Sequence, residues 1–144
     1  MAPGSLLDID LPIARPPAAV WKALTNWKSA PKWFGGGVDQ GAGPKGGMRD
    51  LAVVTLHAGG KAQDHSIQDY EVGRSFALVW AERGVMVMRR YALKRSPEGN
   101  TVVSLKVDVD TTGLGFLFRR GVARRVAESD REQLDRLRAH VEGA

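Results

Sequence analysis

The most constraining feature of this chain is an alternating apolar segment that runs into a double proline and then into an amphipathic helix. The alternating residues are Leu7, Ile9, Leu11 and Ile13 against Asp8, Asp10 and Pro12. This period of two predicts a half-buried strand. Pro16-Pro17 favours a helix start, because proline at the first helical position loses no needed hydrogen-bond donor. We therefore predict one strand, a helix to about Asn26 and a second short helix over 29–33.

Five further strands are predicted downstream, separated by turns rich in glycine. They are Met48 to His57, Gln63 to Val72, Phe76 to Trp80 with its flanks, Val85 to Arg95 and Thr101 to Asp110. Their short connections favour antiparallel hairpins over parallel crossovers. The glycine-dense stretch over 35–47 is predicted to be a flexible loop.

From about Leu114 the apolar spacing becomes helical. The apolar positions are Phe118, Val122, Val126, Leu134, Leu137 and Val141. Gly115 and Gly121 lower helix propensity, so a kink or a late helix start is expected. A long amphipathic helix can cover the apolar face of an antiparallel sheet. The pattern predicts one α+β domain over residues 1–144, with an apolar space between sheet and helix for a small molecule.

Composition predicts a soluble cytoplasmic protein. Of 144 residues, 43% are hydrophobic and 26% are charged, which is typical of globular domains. The absence of cysteine excludes disulfides and is compatible with a reducing compartment. The N-terminal residues lack the basic and apolar regions of a signal peptide. No apolar run approaches the roughly 20 residues that span a bilayer, so no stable membrane insertion is expected.

Part of the net charge of +5 comes from an arginine patch over 119–125. Its members are Arg119, Arg120, Arg124 and Arg125. Such a patch can favour anionic lipid, nucleic acid or an acidic partner. The acids downstream, at Glu128, Asp130, Glu132 and Asp135, favour a solvated helix face instead. No aromatic residues alternate with the arginines as in single-strand binders, so nucleic acid is not an expected partner.

The sequence motifs indicate no catalytic residue, metal or cofactor. Residues 41–46 match G-x-G-x-x-G, but Pro44 and the strand that follows favour a loop or cavity lid over a dinucleotide site. The three histidines, His57, His65 and His140, do not have the spacing of metal ligands. No Ser-His-Asp arrangement is recognisable.

Three segments, taken in order, resemble one superfamily. They are 13–27 with Pro31-Lys-Trp33, Gly47-Met-Arg49 with 67–71, and 99–105 before the terminal helix. Their order and spacing are similar to the SRPBCC superfamily, which includes START lipid-transfer domains, birch-pollen-type allergens and polyketide cyclase/dehydrase-like proteins. The resemblance implies a helix-grip fold, with a six- to seven-stranded antiparallel sheet wrapped around a long C-terminal helix, and a hydrophobic cavity. His65 stands where many relatives carry glutamate.

The candidate ligand-binding residues come from elements that such a fold brings around one space. They are Trp33, Tyr70, Trp80, Arg89, Tyr91, Phe116 and Phe118. Strand alternation sends Arg89 and Arg90 to opposite faces, and Arg89 points inward if it shares a face with Tyr91. A buried guanidinium needs an anionic partner, either a protein carboxylate such as Asp69 or an oxygen of the ligand. The competing interpretation places both arginines in solvent near the end of the sheet.

The leading hypothesis is a carrier or sensor that binds a lipid, polyketide or isoprenoid-like molecule. Trp33, Tyr70, Trp80 and Tyr91 would line the cavity, Arg89 would anchor a polar head, and the glycine loop with Phe116 and Phe118 would gate it. The alternative is a polyketide cyclase or dehydratase with His65 or Asp69 as base, Arg89 stabilising an enolate and Tyr91 as acid. A third hypothesis is a regulatory protein that binds a partner through the arginine patch. The oligomeric state is left open.

Overall fold

Alternating burial along the strands builds a sheet with one apolar face. The computed structural model describes residues 5–143 and contains the strands β1 (Leu7–Ile13), β2 (Val38–Ala42), β3 (Val53–Ala58), β4 (Lys61–Glu71), β5 (Ser75–Glu82), β6 (Val85–Arg95) and β7 (Thr101–Thr111). In β7, Val103, Leu105 and Val107 are fully buried, whereas Lys106 is exposed. The strands pair antiparallel in the order β1-β7-β6-β5-β4-β3-β2.

Two groups of helices cover the apolar face. The first group, between β1 and β2, is α1 (Pro17–Leu24), a 3₁₀ turn (Trp27–Ser29) and α2 (Ala30–Trp33). The second group, after β7, is a 3₁₀ turn (Gly113–Leu117), α3 (Arg119–Asp130) and α4 (Gln133–Glu142). This arrangement confirms the expected helix-grip fold. Over residues 5–143, every helix is too short or too polar to cross a membrane.

The structure corrects three local predictions. The stretch over 35–47 is not only a loop, because it contains β2, one of the two edge strands of the sheet. Its Gly41 is required by a close approach, since a Cβ there would lie 2.1 Å from the carbonyl oxygen of Trp27. The strand predicted from Met48 begins at Val53. The terminal helix is divided, and the break lies between two fully buried polar residues, Asp130 and Gln133.

Aromatic side chains fill much of the space between the sheet and the first helices. Trp33 and Phe76 pack against Tyr91 with ring centroids 6.2 and 5.2 Å apart. Trp27 contacts both Trp33 and Phe76, at 6.1 and 5.9 Å. This part of the interior, where the sequence suggested a cavity, is therefore occupied by the protein's own rings.

The 3₁₀ turn before α3 packs backbone to backbone on the hairpin between β5 and β6. A Cβ at Gly115 would lie 2.0 Å from the carbonyl oxygen of Gly84, and the same oxygen accepts a 2.8 Å hydrogen bond from the amide of Thr112. Any side chain at position 115 must therefore push the two segments apart.

We expect Gly115→Ala to lower the free energy of unfolding by about 1–3 kcal/mol, because of this overpacking. Gly121→Ala is the matched control, since a Cβ at this exposed helical position meets nothing within 4 Å. The control should be stabilised by about 0.5–1 kcal/mol, because alanine has the higher helix propensity. Urea denaturation measures both effects. Equal changes in the two variants would contradict the close packing at Gly115.

Candidate ligand-binding site

A small cleft lies between α3 and the inner face of the sheet. Its lining residues are Phe34, Gly36, Val38, Gln63, Trp80, Arg89, Val122, Arg125, Val126 and Ser129. The cleft has a volume of about 80 Å³. Sites for drug-sized ligands are commonly about 300–1,000 Å³. A lipid-sized molecule therefore does not fit unless it protrudes or displaces side chains.

Arg89 is the polar centre of the cleft. Alternation along β6 turns it to the inner face, where it is 5% exposed. Its Nε donates to Oδ2 of Asp130 at 2.5 Å, and its Nη2 donates to Oδ1 at 3.4 Å. The guanidinium also lies 4.9 Å from the centroid of the Phe34 ring. Arg89 is therefore held as a cation by a fully buried carboxylate and an aromatic face.

The partner suggested from the sequence, Asp69, is wrong. Asp69 lies on the exposed side of the sheet, where it pairs with Nη1 of Arg90 at 2.9 Å. Asp69 lies within a register shift of β4, between Gln68 and Glu71, and has a φ of 51°, so its side chain does not reach the interior. The two neighbouring arginines thus have two different acidic partners on opposite faces.

The electrostatics of the buried pair keep Arg89 charged. Burial by itself lowers the pKa of a guanidinium, but the charge and hydrogen bonds of Asp130 outweigh it, and the net pKa of Arg89 is raised. Within residues 5–143, Nη1 of Arg89 donates to no protein acceptor. Because Arg89 also lines the cleft, it can offer a hydrogen-bond donor to an anionic ligand.

Tyr91 stands behind Arg89 on the same strand face. Its hydroxyl donates to Oε1 of Gln133, and Nε2 of Gln133 donates to the carbonyl oxygen of Phe34 at 2.9 Å. Burial raises the pKa of Tyr91, an effect that the Arg89 charge partly opposes. Tyr91 is therefore a neutral hydrogen-bond donor that ties the sheet to α4 and to the residue after α2.

His65 forms part of the aromatic wall behind the cleft. Its ring stacks on Trp80 at 5.9 Å and meets Phe34 edge-on at 6.0 Å. Burial, and then the nearby Arg89 charge, lower the pKa of His65 to about 4. The imidazole is therefore uncharged at neutral pH. Its Nδ1 lies 3.1 Å from the carbonyl oxygen of Gln63, while Nε2 has no partner in the described part of the chain.

A surface groove continues from the cleft at Val122 and Arg125. It is lined by Lys61, Glu82, Arg83, Leu117, Phe118, Gly121, Val122 and Arg125. Arg125 donates from Nη2 to Glu82 at 3.0 Å across the groove, and its side chain is 64% exposed. This exposed pair forms the rim between the buried cleft and solvent.

The structure brings together only some of the predicted ligand-binding residues. Trp80 and Arg89 line the cleft, and Phe118 lines the adjoining groove. Trp33 and Tyr91 are buried behind the cleft, and Phe116 is 62% exposed. Tyr70 lies elsewhere, half-buried against the ring of Trp21 at 6.0 Å.

Sequence reasoning missed the carboxylate that holds Arg89. It grouped Asp130 with the solvent-exposed acids of the last helix, but Asp130 is fully buried. A signal was present, because Val122, Val126 and Asp130 recur every four residues and so share one helix face. An acid on a buried stripe predicts an internal cationic partner. Gln63 and Ser129, which also line the cleft, carried no such signal.

Comparisons with known proteins agree with this architecture. Residues 9–142 match the family model described as polyketide cyclase / dehydrase and lipid transport. The ZhuI aromatase/cyclase from Streptomyces sp. R1128 is 17% identical, with a TM-score of 0.72 over 94% of this chain and 92% of that one. A START superfamily protein from Mycobacterium smegmatis is 12% identical, with a TM-score of 0.66 over 95% and 97%.

A longer structural relative has the same fold in part of its chain. DynU16, from the dynemicin biosynthetic locus, is 17% identical with a TM-score of 0.67, and the match covers 94% of this chain but 46% of that one. No curated protein matches the chain by sequence. At these identities the structural likenesses show the fold alone.

Proposed function

Because the chain belongs to the polyketide cyclase / dehydrase and lipid transport family, we propose that it binds a small hydrophobic molecule carrying one anionic group, as a carrier or sensor. The observation that supports this proposal is the convergence of apolar walls on a buried guanidinium. Phe34, Val122 and Val126 supply the apolar lining, and Arg89 and Arg125 supply positive charge at its inner end and rim. A carboxylate, enolate or phenolate suits these donors.

The size of the cleft limits the ligand. At about 80 Å³ it encloses little more than part of an aromatic ring or a short branched chain. The rest of the molecule would extend along the surface groove past Arg125 and Phe118. This favours a compact aromatic, polyketide-derived or isoprenoid acid over a long-chain lipid.

The experiment uses 1-naphthoate as the anionic probe and 1-naphthalenemethanol as its neutral counterpart, with binding measured by calorimetry on the full chain. We expect the alcohol to bind at least about tenfold more weakly, because its neutral hydroxyl can accept a hydrogen bond from Arg89 or Arg125 but cannot form an ion pair with either. Native mass spectrometry of the protein purified from its own host would identify the natural ligand class.

The matched variants are Arg125→Ala and Arg124→Ala. Both remove an exposed arginine from α3, but only Arg125 lines the cleft. Arg125→Ala should weaken 1-naphthoate binding by about tenfold, while Arg124→Ala should leave it unchanged. Equal affinities for the acid and the alcohol, or equal losses in the two variants, would reject the proposal.

The cyclase or dehydratase alternative has less support from the geometry. Asp69 is on the outer face with Arg90, so it cannot act with Arg89. His65 and Tyr91 share the interior with Arg89, but neither lines the cleft. A histidine with a pKa of about 4 is a weak base, and the hydroxyl of Tyr91 is already bonded to Gln133. Binding without catalysis is therefore the function that we favour.

A further inference from the structure

The segment between β7 and α3 exposes an unusual group of large apolar side chains. Over residues 5–143, the seven exposed large hydrophobic residues are Leu51, Val53, Val72, Leu114, Phe116, Leu117 and Phe118. Four of the seven are therefore in one five-residue stretch. Leu114, Phe116 and Leu117, here called the apolar tip, are 69%, 62% and 62% exposed. Clusters of this kind mark interaction surfaces, whereas isolated exposed apolar residues are ordinary.

The apolar tip is held on a fixed backbone. Gly115, which lies between Leu114 and Phe116, packs directly on Gly84. The amide of Phe118 donates to the carbonyl oxygen of Gly115 at 2.9 Å. The guanidinium of Arg83 lies 5.4 Å from the centroid of the Phe118 ring. The exposed side chains are thus presented by a packed turn and not by an open loop.

Positive charge adjoins the tip. Residues 110–128 contain four arginines and two acids, Asp110 and Glu128, so the net charge of the stretch is positive, and Arg119, Arg120 and Arg124 are all exposed. Arg83 and Lys61 line the groove beside Leu117 and Phe118. The acid in that groove, Glu82, is paired with Arg125 at 3.0 Å. The surface around the tip is therefore cationic, and it is complementary to an anionic partner.

We infer that the apolar tip and the arginines beside it dock on the surface of an anionic lipid bilayer. Apolar and aromatic side chains flanked by basic residues are the composition of segments that lie in the membrane interface. A second protein is a poorer match. The tip offers only one phenylalanine and two leucine side chains, each about two-thirds exposed. A stable protein interface buries about 800 Å² on each partner.

This inference stands independently of the proposed ligand, although the two sites adjoin. Leu117 and Phe118 line the groove that joins the cleft at Val122 and Arg125. Docking of the tip would therefore place the mouth of the cleft at the membrane surface. A molecule that partitions into the interface would reach the cleft without crossing bulk water.

The test is flotation of the full chain with vesicles of phosphatidylcholine alone and of an equimolar phosphatidylcholine–phosphatidylglycerol mixture. We expect binding to the mixed vesicles to be at least about tenfold tighter than to the neutral ones, and to weaken as salt is raised. Absence of binding to the mixed vesicles would overturn the inference, whether or not 1-naphthoate binds the cleft.

Variants locate the contact. Phe116→Ser/Leu117→Ser and Arg119→Glu/Arg120→Glu should each weaken binding to the mixed vesicles by about tenfold or more. The controls are Val72→Ser, which removes another exposed apolar residue, and Arg95→Glu, an exposed arginine at the opposite end of β6. If the controls lose as much binding to the mixed vesicles as the tip variants do, the membrane contact is not made by the tip. Self-association that is lost in the apolar double variant, without vesicle binding, would assign the tip to a second copy.

A direct readout uses the absence of native cysteine. Phe116→Cys and Val72→Cys can each be labelled with an environment-sensitive fluorophore at a single site. On mixed vesicles, the dye at position 116 should shift to the blue, because it enters the apolar interface, and the dye at position 72 should not. A dye at position 116 that stays in water while the protein floats would overturn insertion of the tip.

Discussion

Replacing Asp130 by asparagine is expected to lower the free energy of unfolding by about 3–5 kcal/mol. Asp130 is fully buried and holds the guanidinium of Arg89, itself 5% exposed, at 2.5 Å. The amide preserves the shape but removes the negative charge, so it leaves a buried cation without compensation. Denaturant unfolding at neutral pH measures this loss. It is a large fraction of the free energy of unfolding of an ordinary domain.

The double variant Arg89→Met/Asp130→Leu separates the charge effect from packing. Replacing both members of a buried ion pair by apolar residues of similar volume is often neutral or stabilising. The double variant should therefore recover most of the stability that Asp130→Asn loses, and its preference for 1-naphthoate over the alcohol should become weaker, because only Arg125 remains to pair with the carboxylate. If Asp130→Asn is as stable as the native protein, the buried pair described here does not hold the fold together.

The second large effect is a loss of stability in mild acid that depends on His65. Burial lowers the pKa of this imidazole from its usual 6.5 to about 4 in the folded protein. Between these two values the unfolded chain binds a proton that the folded chain does not, so stability falls as the pH falls. This lowering of the His65 pKa predicts that the free energy of unfolding falls by about 2 kcal/mol between pH 7 and pH 5. The total loss below pH 4 is about 3 kcal/mol.

His65→Phe tests this prediction, because a phenyl ring preserves the aromatic contacts with Trp80 and Phe34 but cannot titrate. The measured quantity is the difference in unfolding free energy between pH 7 and pH 5 for each protein. We expect this difference to shrink by about 2 kcal/mol in the variant, whatever its stability at pH 7. The same pH dependence in both proteins would show that His65 is not the group responsible.

The elements of the fold were predictable because they depend on local patterns. The strand Val85–Arg95 was predicted with the bounds that the structure has. Its alternation left two interpretations of Arg89 open, and the structure has the inward one. β2 was not predicted, because the glycine-rich sequence around Gly41 is typical of a loop. Gly41 is needed because the strand passes under the carbonyl oxygen of Trp27. Such an approach between separate segments leaves no periodic signal.

The site was less predictable than the fold. The structure places Trp80 and Arg89 on the cleft, but it places Tyr70, which was predicted with them, against Trp21. Asp69 faces outward because β4 shifts register between Gln68 and Glu71. A shift of one residue moves a side chain to the other face of a sheet. The register shift results from the pairing of β4 with β5. No residue in the stretch predicts it.

The sequence by itself determined the antiparallel sheet and its covering helices, because hydrophobic periodicity records which face of an element is buried. It left open whether Arg89 points inward. Only the tertiary structure decided the partner of that arginine, since Arg89 and Asp130 are 41 positions apart and meet through the packing of α3 on the sheet. It also decided how much space remains inside. Cavity volume is the small difference between the enclosed space and the side chains that fill it, and Trp33, Phe76 and Tyr91 fill the space behind the small cleft beside Arg89.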